Sequence, residues 1–238
     1  MFEDRKDAGE KLARALEEYR GKNVLVLAIP KGGVEVGYQV AKYLKADFSI
    51  LVSRKLPFPD NPEAGFGAVA EDGSTFINQD AARWLSERII DEIVRVQKQE
   101  IVRRIAVLRK GKPLPEMVNR TVVLVDDGIA MGSTMRVSIM LCKNRGAGKT
   151  VVAVPVSGER VAKEIAEMVD EIIVLEQPRF FRAVAQVYRN WYDVSDREVI
   201  EIIERLQQES DSAVALKLDE ARGDIPGVDE EEFIEERH

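Results

Sequence analysis

The stretch that most constrains this chain is Val122-Val-Leu-Val-Asp126-Asp127-Gly128-Ile129-Ala130-Met131-Gly132-Ser133-Thr134. Four apolar residues without alternation suit a strand buried on both faces, as in a parallel sheet. A helix is predicted from about Ser133 to Arg145, with Gly146 as its stop. The loop between them therefore joins the carboxyl end of a strand to the amino end of a helix. Free backbone N–H groups and the helix dipole favour a phosphate there. The two carboxylates cannot bind that phosphate and need hydroxyls or a cation instead. A ribose 5-phosphate would satisfy both halves of the loop. A plain strand end with a capped turn would explain one acid and one glycine, but not two acids, two glycines and a Ser-Thr pair in this order.

The same stretch resembles the phosphoribosyl diphosphate (PRPP) motif of type I phosphoribosyltransferases, in which an apolar strand and two acids precede a loop ending Thr-Gly-x-Thr. Met131 departs from it, standing where that family usually has Thr, so one side-chain hydroxyl for the 5-phosphate is missing. Ser133, Thr134 and the backbone donors of Gly128, Ile129, Ala130, Met131 and Gly132 remain.

A chain of 238 residues is long enough for one substantial α/β core. No apolar run reaches the length of a membrane span, and the first residues do not read as a signal peptide. Cys142 is the only cysteine and is expected as a small buried apolar residue, which points to the cytoplasm. The only histidine is His238, which excludes histidine-based catalysis. The net charge of −7 is uneven: eleven acids and three bases fall from Gln207 onward, leaving 31 acids and 32 bases before it. A near-neutral core offers no basic face for nucleic acid.

Taken in order, residues 8–20 read as an amphipathic helix carrying Leu12, Leu16 and Tyr19 on one side. Asn23 to Ile29 is a buried strand, and Pro30-Lys31-Gly32-Gly33 turns into a helix ending near Lys45. This is a second set of backbone donors at a strand–helix turn, with Lys31 as a cation. Asp47 to Ser53 is the next strand, followed by Arg54 and Lys55. Three prolines (Pro57, Pro59, Pro62) and three glycines (Gly65, Gly67, Gly73) then favour a mobile loop with a short hairpin. Residues 79–110 form a long charged helical insertion, whose apolar stripe fits either core packing or a contact between copies. Strands at 150–156 and 170–175 flank a helix at about 159–169. Aromatic residues including Phe181 and Trp191 follow, and Ser195 with Glu198 forms a capping box for a last helix.

Strands alternating with helices imply an α/β fold: a doubly wound, parallel, five-stranded sheet with helices on both faces, plus a small hood and a flexible loop or hairpin. Residues 1–206 are expected to form this domain, and 207–238 an acidic extension. The resemblance implies a reaction: transfer of the ribosyl 5-phosphate group from PRPP, with Mg²⁺, to a nucleobase-like or other nitrogen nucleophile, with loss of pyrophosphate. It further implies Asp126 and Asp127 on the ribose hydroxyls and, through water, on Mg²⁺. Gly128 to Thr134 would hold the 5-phosphate, and Lys31, Gly32 and Gly33 the pyrophosphate. Arg54 and Lys55 would neutralise the leaving charge. Pro155, Phe181 and Trp191 are the base-binding candidates. Relatives acting on 6-oxopurines carry an acid where this chain has Ala130, which argues against hypoxanthine or guanine. The segments Pro178-x-x-Phe181-x-Ala183-Val184 and Gly65-Phe-Gly-Ala-Val-Ala70 resemble one particular subgroup of that family. A PRPP sensor without turnover shares these features. A phosphoacceptor receiver domain would not need Lys31-Gly32-Gly33, and a pure assembly module would bind no phosphate.

Overall fold

Five parallel strands carry the apolar runs of the chain. They are β1 (Val24–Ala28), β2 (Asp47–Ile50), β6 (Thr121–Val125), β7 (Lys149–Val156) and β8 (Glu171–Glu176), in the order β2-β1-β6-β7-β8. This computed structural model describes residues 1–206 together with 208 and 209. The chain divides into units Met1–Ile203 and Glu204–His238; everything below concerns the first. The acidic extension expected at 207–238 lies outside the described residues apart from 208 and 209.

The two-residue period of each strand sorts its side chains between two cores. Leu25, Leu27, Val122, Leu124, Val152 and Val154 face α5 (Ser133–Asn144) and α6 (Glu159–Ala166), and Cys142 lies buried among them. Val24, Val26, Val123, Val125, Val151 and Ala153 face α1 (Arg5–Ala15) and α2 (Gly33–Leu44). The central strands β1, β6 and β7 are buried on both faces, as their unbroken apolar runs require, whereas the edge strands β2 and β8 are only partly buried.

The amino-terminal helix departs from the expected 8–20. It starts at Arg5, because Asp4 caps it by accepting a hydrogen bond from the Asp7 N–H at 2.8 Å, and after Ala15 it tightens into a 3-10 turn, Glu17–Tyr19. Leu12, Leu16 and Tyr19 are nevertheless all buried. This earlier start places Arg5 in the first turn.

The strand expected from Asp47 to Ser53 is two strands in two sheets. Leu51 and Val52 separate them, fully buried, and the Val52 N–H is drawn off to the Glu71 carboxylate at 2.9 Å. The following stretch contains the expected hairpin, extended to a three-stranded antiparallel sheet: β3 (Ser53–Phe58), β4 (Asn61–Ala70) and β5 (Thr75–Ile77). The prolines do not prevent pairing, because the ladder shifts register on either side of Pro57, where no regular donor is required. Gly67 is demanded by closeness, since a Cβ there would lie 2.1 Å from the Phe76 carbonyl oxygen.

The helical stretch expected at 79–110 is interrupted: α3 (Gln79–Ala82) and α4 (Glu87–Arg109) are distinct. Ile101 and Leu108 of α4 are buried in a third core with Leu56 and Phe66. The outer charges pair locally, Arg95 with Glu92 and Arg103 with Glu100. Over the carboxyl edge of the main sheet sits a small hood, where Phe2, Val187 and Tyr188 pack with Val156 and Phe2 bridges to Tyr188. A helix opens at residue 196, with Glu198 accepting from the Ser195 N–H at 2.7 Å and its own N–H donating to the Ser195 hydroxyl at 3.2 Å. No helix among the described residues is long and apolar enough to cross a membrane.

Candidate functional site

Strands β1 and β6 are paired in parallel with Ala28 opposite Val125, so the turns that follow them leave the sheet side by side. The turn after β6 begins with Asp126 and Asp127. The Asp127 N–H donates to Asp126 Oδ1 at 2.8 Å. The turn after β1 is Pro30-Lys31-Gly32-Gly33, in which the Pro30–Lys31 peptide is cis and Gly33 opens α2. The two turns touch. A Cβ on Gly33 would lie 2.8 Å from the Asp126 Cα, and one on Gly32 would lie 1.8 Å from Asp127 Oδ2. Only glycine lets the first turn approach the acids this closely.

Beyond the acids, Gly128 lies beneath the hood, where a Cβ would meet Val156 at 2.6 Å and Val184 at 2.7 Å. The Ile129 side chain is buried, and its N–H donates to the Val156 carbonyl at 2.8 Å. Ala130 and Met131 face outward, Met131 with 68% of its surface exposed. Gly132 takes a left-handed φ of 77°, and Ser133 and Thr134 open α5. The first turn of α5 thus directs backbone N–H groups toward the loop.

Four further residues complete the site. Arg5, 4% exposed, donates from Nε to Asp127 Oδ2 at 2.9 Å and from Nη1 to the Tyr192 carbonyl at 2.9 Å. Its guanidinium carbon lies 4.0 Å from the centre of the Trp191 ring. Glu35, in the first turn of α2, approaches Arg5 Nη1 at 3.6 Å and accepts from the Tyr192 hydroxyl at 2.6 Å. Tyr188 donates its hydroxyl to the Asp127 carbonyl at 2.7 Å. Tyr188 and Tyr192 stood inside the aromatic cluster already singled out, and Glu35 is two residues past the glycine pair. Arg5 carried no signal of its own, being 122 residues from its partner.

The remaining candidates divide. Trp191 joins the acids through Arg5, and its ring lies 5.3 Å from that of Tyr188. Pro155 is buried on β7, two residues beyond the partner of Val125. Phe181 packs into the hood core and faces Gly158. Arg54 and Lys55 point elsewhere: Arg54 lies on β3 and donates to Gln97 of α4 at 3.1 Å, and Lys55 donates to the Glu63 carbonyl. Among the described hydrogen bonds and ion pairs, neither reaches Asp126 or Asp127.

Electrostatics mark the acid pair. Burial and then the Asp127 charge hold Asp126 well above the usual carboxylate range. Burial raises Asp127 as well, against the pull of Arg5. Glu35 is raised by burial, with Tyr192 and Arg5 opposing. Burial and Glu35 push the Tyr192 hydroxyl up to about 12. One counterion, Arg5, thus stands against two adjacent carboxylates, an arrangement relieved by hydroxyl donors or a further cation. Among the described residues no group of three or more His, Cys, Asp or Glu could hold a metal. Two adjacent carboxylates have the chemistry to face a hard cation that takes its other ligands from a bound molecule and water.

Comparison with known proteins places the chain in a family. The model of the phosphoribosyl transferase domain matches residues 3–190. Two Mycobacterium tuberculosis proteins, from strains CDC 1551 and H37Rv, whose names assign them provisionally as phosphoribosyl transferases, are each 40% identical over 97% of this chain. The chain spans about half the length of these curated relatives, 52% in each case. The crystal structure of the protein TT1426 from Thermus thermophilus is 32% identical, with a TM-score of 0.71, covering 84% of this chain and 96% of that one.

Proposed function

The chain belongs to the phosphoribosyl transferase domain family, and from that premise we propose that it transfers the ribosyl 5-phosphate group of PRPP to a nitrogen nucleophile, releasing pyrophosphate. One observation carries this reading: the Gly32–Gly33 turn lies against Asp126 and Asp127. Two anion-binding turns thereby flank two carboxylates, which is the order of groups in a ribose phosphorylated at both ends.

In this reading the backbone of Gly128 to Thr134 holds the 5-phosphate, aided by the Ser133 and Thr134 hydroxyls. Lys31, Gly32 and Gly33 hold the pyrophosphate. Asp126 and Asp127 accept the ribose hydroxyls and, through water, face Mg²⁺. When bound, Mg²⁺ neutralises the diphosphate and fixes its conformation. The chain's own contribution is then positioning and charge stabilisation around a positively charged sugar. Arg54 and Lys55 reach the leaving group only when the β3–β4 hairpin brings them across. Trp191, which reaches the acids through Arg5, is the first candidate for the acceptor wall, with Pro155 and Phe181 as the others. The acceptor is a small molecule, and Ala130 disfavours a 6-oxopurine. The lone buried thiol, Cys142, suits a reducing cytoplasm.

A second reading, donor binding without turnover, is favoured by the exposed thioether of Met131 in the phosphate loop. Incubation with PRPP, Mg²⁺ and a panel of bases and amines separates the two. Pyrophosphate release with one acceptor supports transfer. Saturable PRPP binding without release on any acceptor supports sensing.

A further inference from the structure

We infer that Arg5 is a positioning residue that couples Asp127 to Trp191, so that occupation of the donor seat is registered at the aromatic wall where an acceptor would lie. The inference rests on the reading of Asp127 as a ribose ligand.

A guanidinium is flat and donates along fixed directions. In Arg5 two different sides of the plane serve two partners, Asp127 Oδ2 at 2.9 Å from Nε and the Tyr192 carbonyl at 2.9 Å from Nη1. Its face serves a third, the Trp191 ring at 4.0 Å. With only 4% of its surface exposed, the ion has little freedom to keep one partner and abandon another. Gly32 closes the remaining side, since a Cβ there would lie 2.9 Å from Arg5 Nε. The indole and the carboxylate are therefore held at a fixed angle by one rigid plane. When hydroxyls and a cation engage Asp127, they redistribute the charge that Arg5 balances, and the ring stacked on its face must register the change. Trp191 has one face covered by Arg5 and is 39% exposed, so an acceptor can meet only the uncovered part of the ring. Lysine would supply the charge without the plane and could not hold both partners.

The chain has two tryptophans, and Trp84, 82% exposed on the far connection between α3 and α4, can be replaced to leave Trp191 as the sole reporter. In W84F protein, PRPP–Mg²⁺ titration should shift Trp191 emission with the same midpoint as calorimetric binding. Adding Arg5→Lys should retain PRPP binding, weakened by about tenfold, and abolish the emission response. In Arg5→Ala protein, millimolar methylguanidine should restore part of that response. A full response in the Arg5→Lys protein overturns the coupling. So does calorimetric binding in the W84F protein with no change in Trp191 emission, which requires no Arg5 variant to fold. Absence of calorimetric binding to the W84F protein instead overturns the donor reading beneath it.

Discussion

Gly32 lies so close to Asp127 that a methyl group on it would sit 1.8 Å from the carboxylate oxygen Oδ2. The contact joins two turns that are almost a hundred residues apart, and it makes the two neighbouring glycines unequal. Gly33 faces fixed backbone, the Asp126 Cα at 2.8 Å, whereas Gly32 faces side chains, the Asp127 carboxylate and Arg5 Nε at 2.9 Å. Gly33→Ala should therefore destabilise the fold by about 1–3 kcal/mol, visible as a loss of about 2–4 °C in Tm for each kcal/mol. Gly32→Ala should melt closer to the wild type but bind PRPP at least about tenfold more weakly, because relief of the clash turns Asp127 away. Thermal melts and calorimetry on the two variants test this opposite pattern.

The acid pair predicts a pH dependence with a definite sign. Asp126 is held well above its ordinary value by burial and then by Asp127. Between the ordinary value and the raised one, the folded protein binds more protons than the unfolded chain. Stability therefore falls as pH rises through that window and stays lowered above it. Asp126→Asn removes the penalty while keeping an acceptor for the Asp127 N–H. In metal-free melts it should exceed the wild type in Tm at about pH 8, with the gap closing toward about pH 4. A variant less stable than the wild type at the higher pH would contradict the assignment.

Arg54 and Lys55 are predicted to part company. Arg54 is half-buried, with burial and then Arg104 lowering its pKa, and it donates to Gln97 at 3.1 Å. Arg54→Ala should cost about 1 kcal/mol of stability through that lost bond. Lys55 donates to a backbone carbonyl at the surface, so Lys55→Ala should leave Tm unchanged. If the hairpin carries it to the leaving group, kcat should fall by about tenfold or more. Unchanged kcat in the Lys55 variant would remove it from the reaction.

Much of this arrangement is legible in the chain itself. Unbroken apolar runs such as Val122–Val125 could only be strands buried on both faces, and their alternation with helices dictated the parallel sheet. Asp126, Asp127 and the Lys31-Gly32-Gly33 turn were visible because each is set by its own strand–helix junction. What local pattern could not show was contact across distance. Arg5 reaches Asp127 from a helix that began earlier than its apolar stripe, and its charge was one of many. A short hairpin was foreseen, but its extension into three strands was hidden by prolines and glycines, which read as loop residues. They pair because the ladder slips around Pro57 and because Gly67 sits against Phe76. Arg54 lies on a strand and bonds to α4 rather than standing at the root of a loop, two placements that look alike in sequence.

The central claim is that Asp126 and Asp127 are the floor of a PRPP site. Calorimetric titration of PRPP–Mg²⁺ into the wild type and into the Asp126→Asn/Asp127→Asn protein tests it most directly. Saturable binding by the wild type, weakened by about a hundredfold or more in a double variant that still melts cooperatively, is the predicted result. Equal affinity in the two proteins would contradict it.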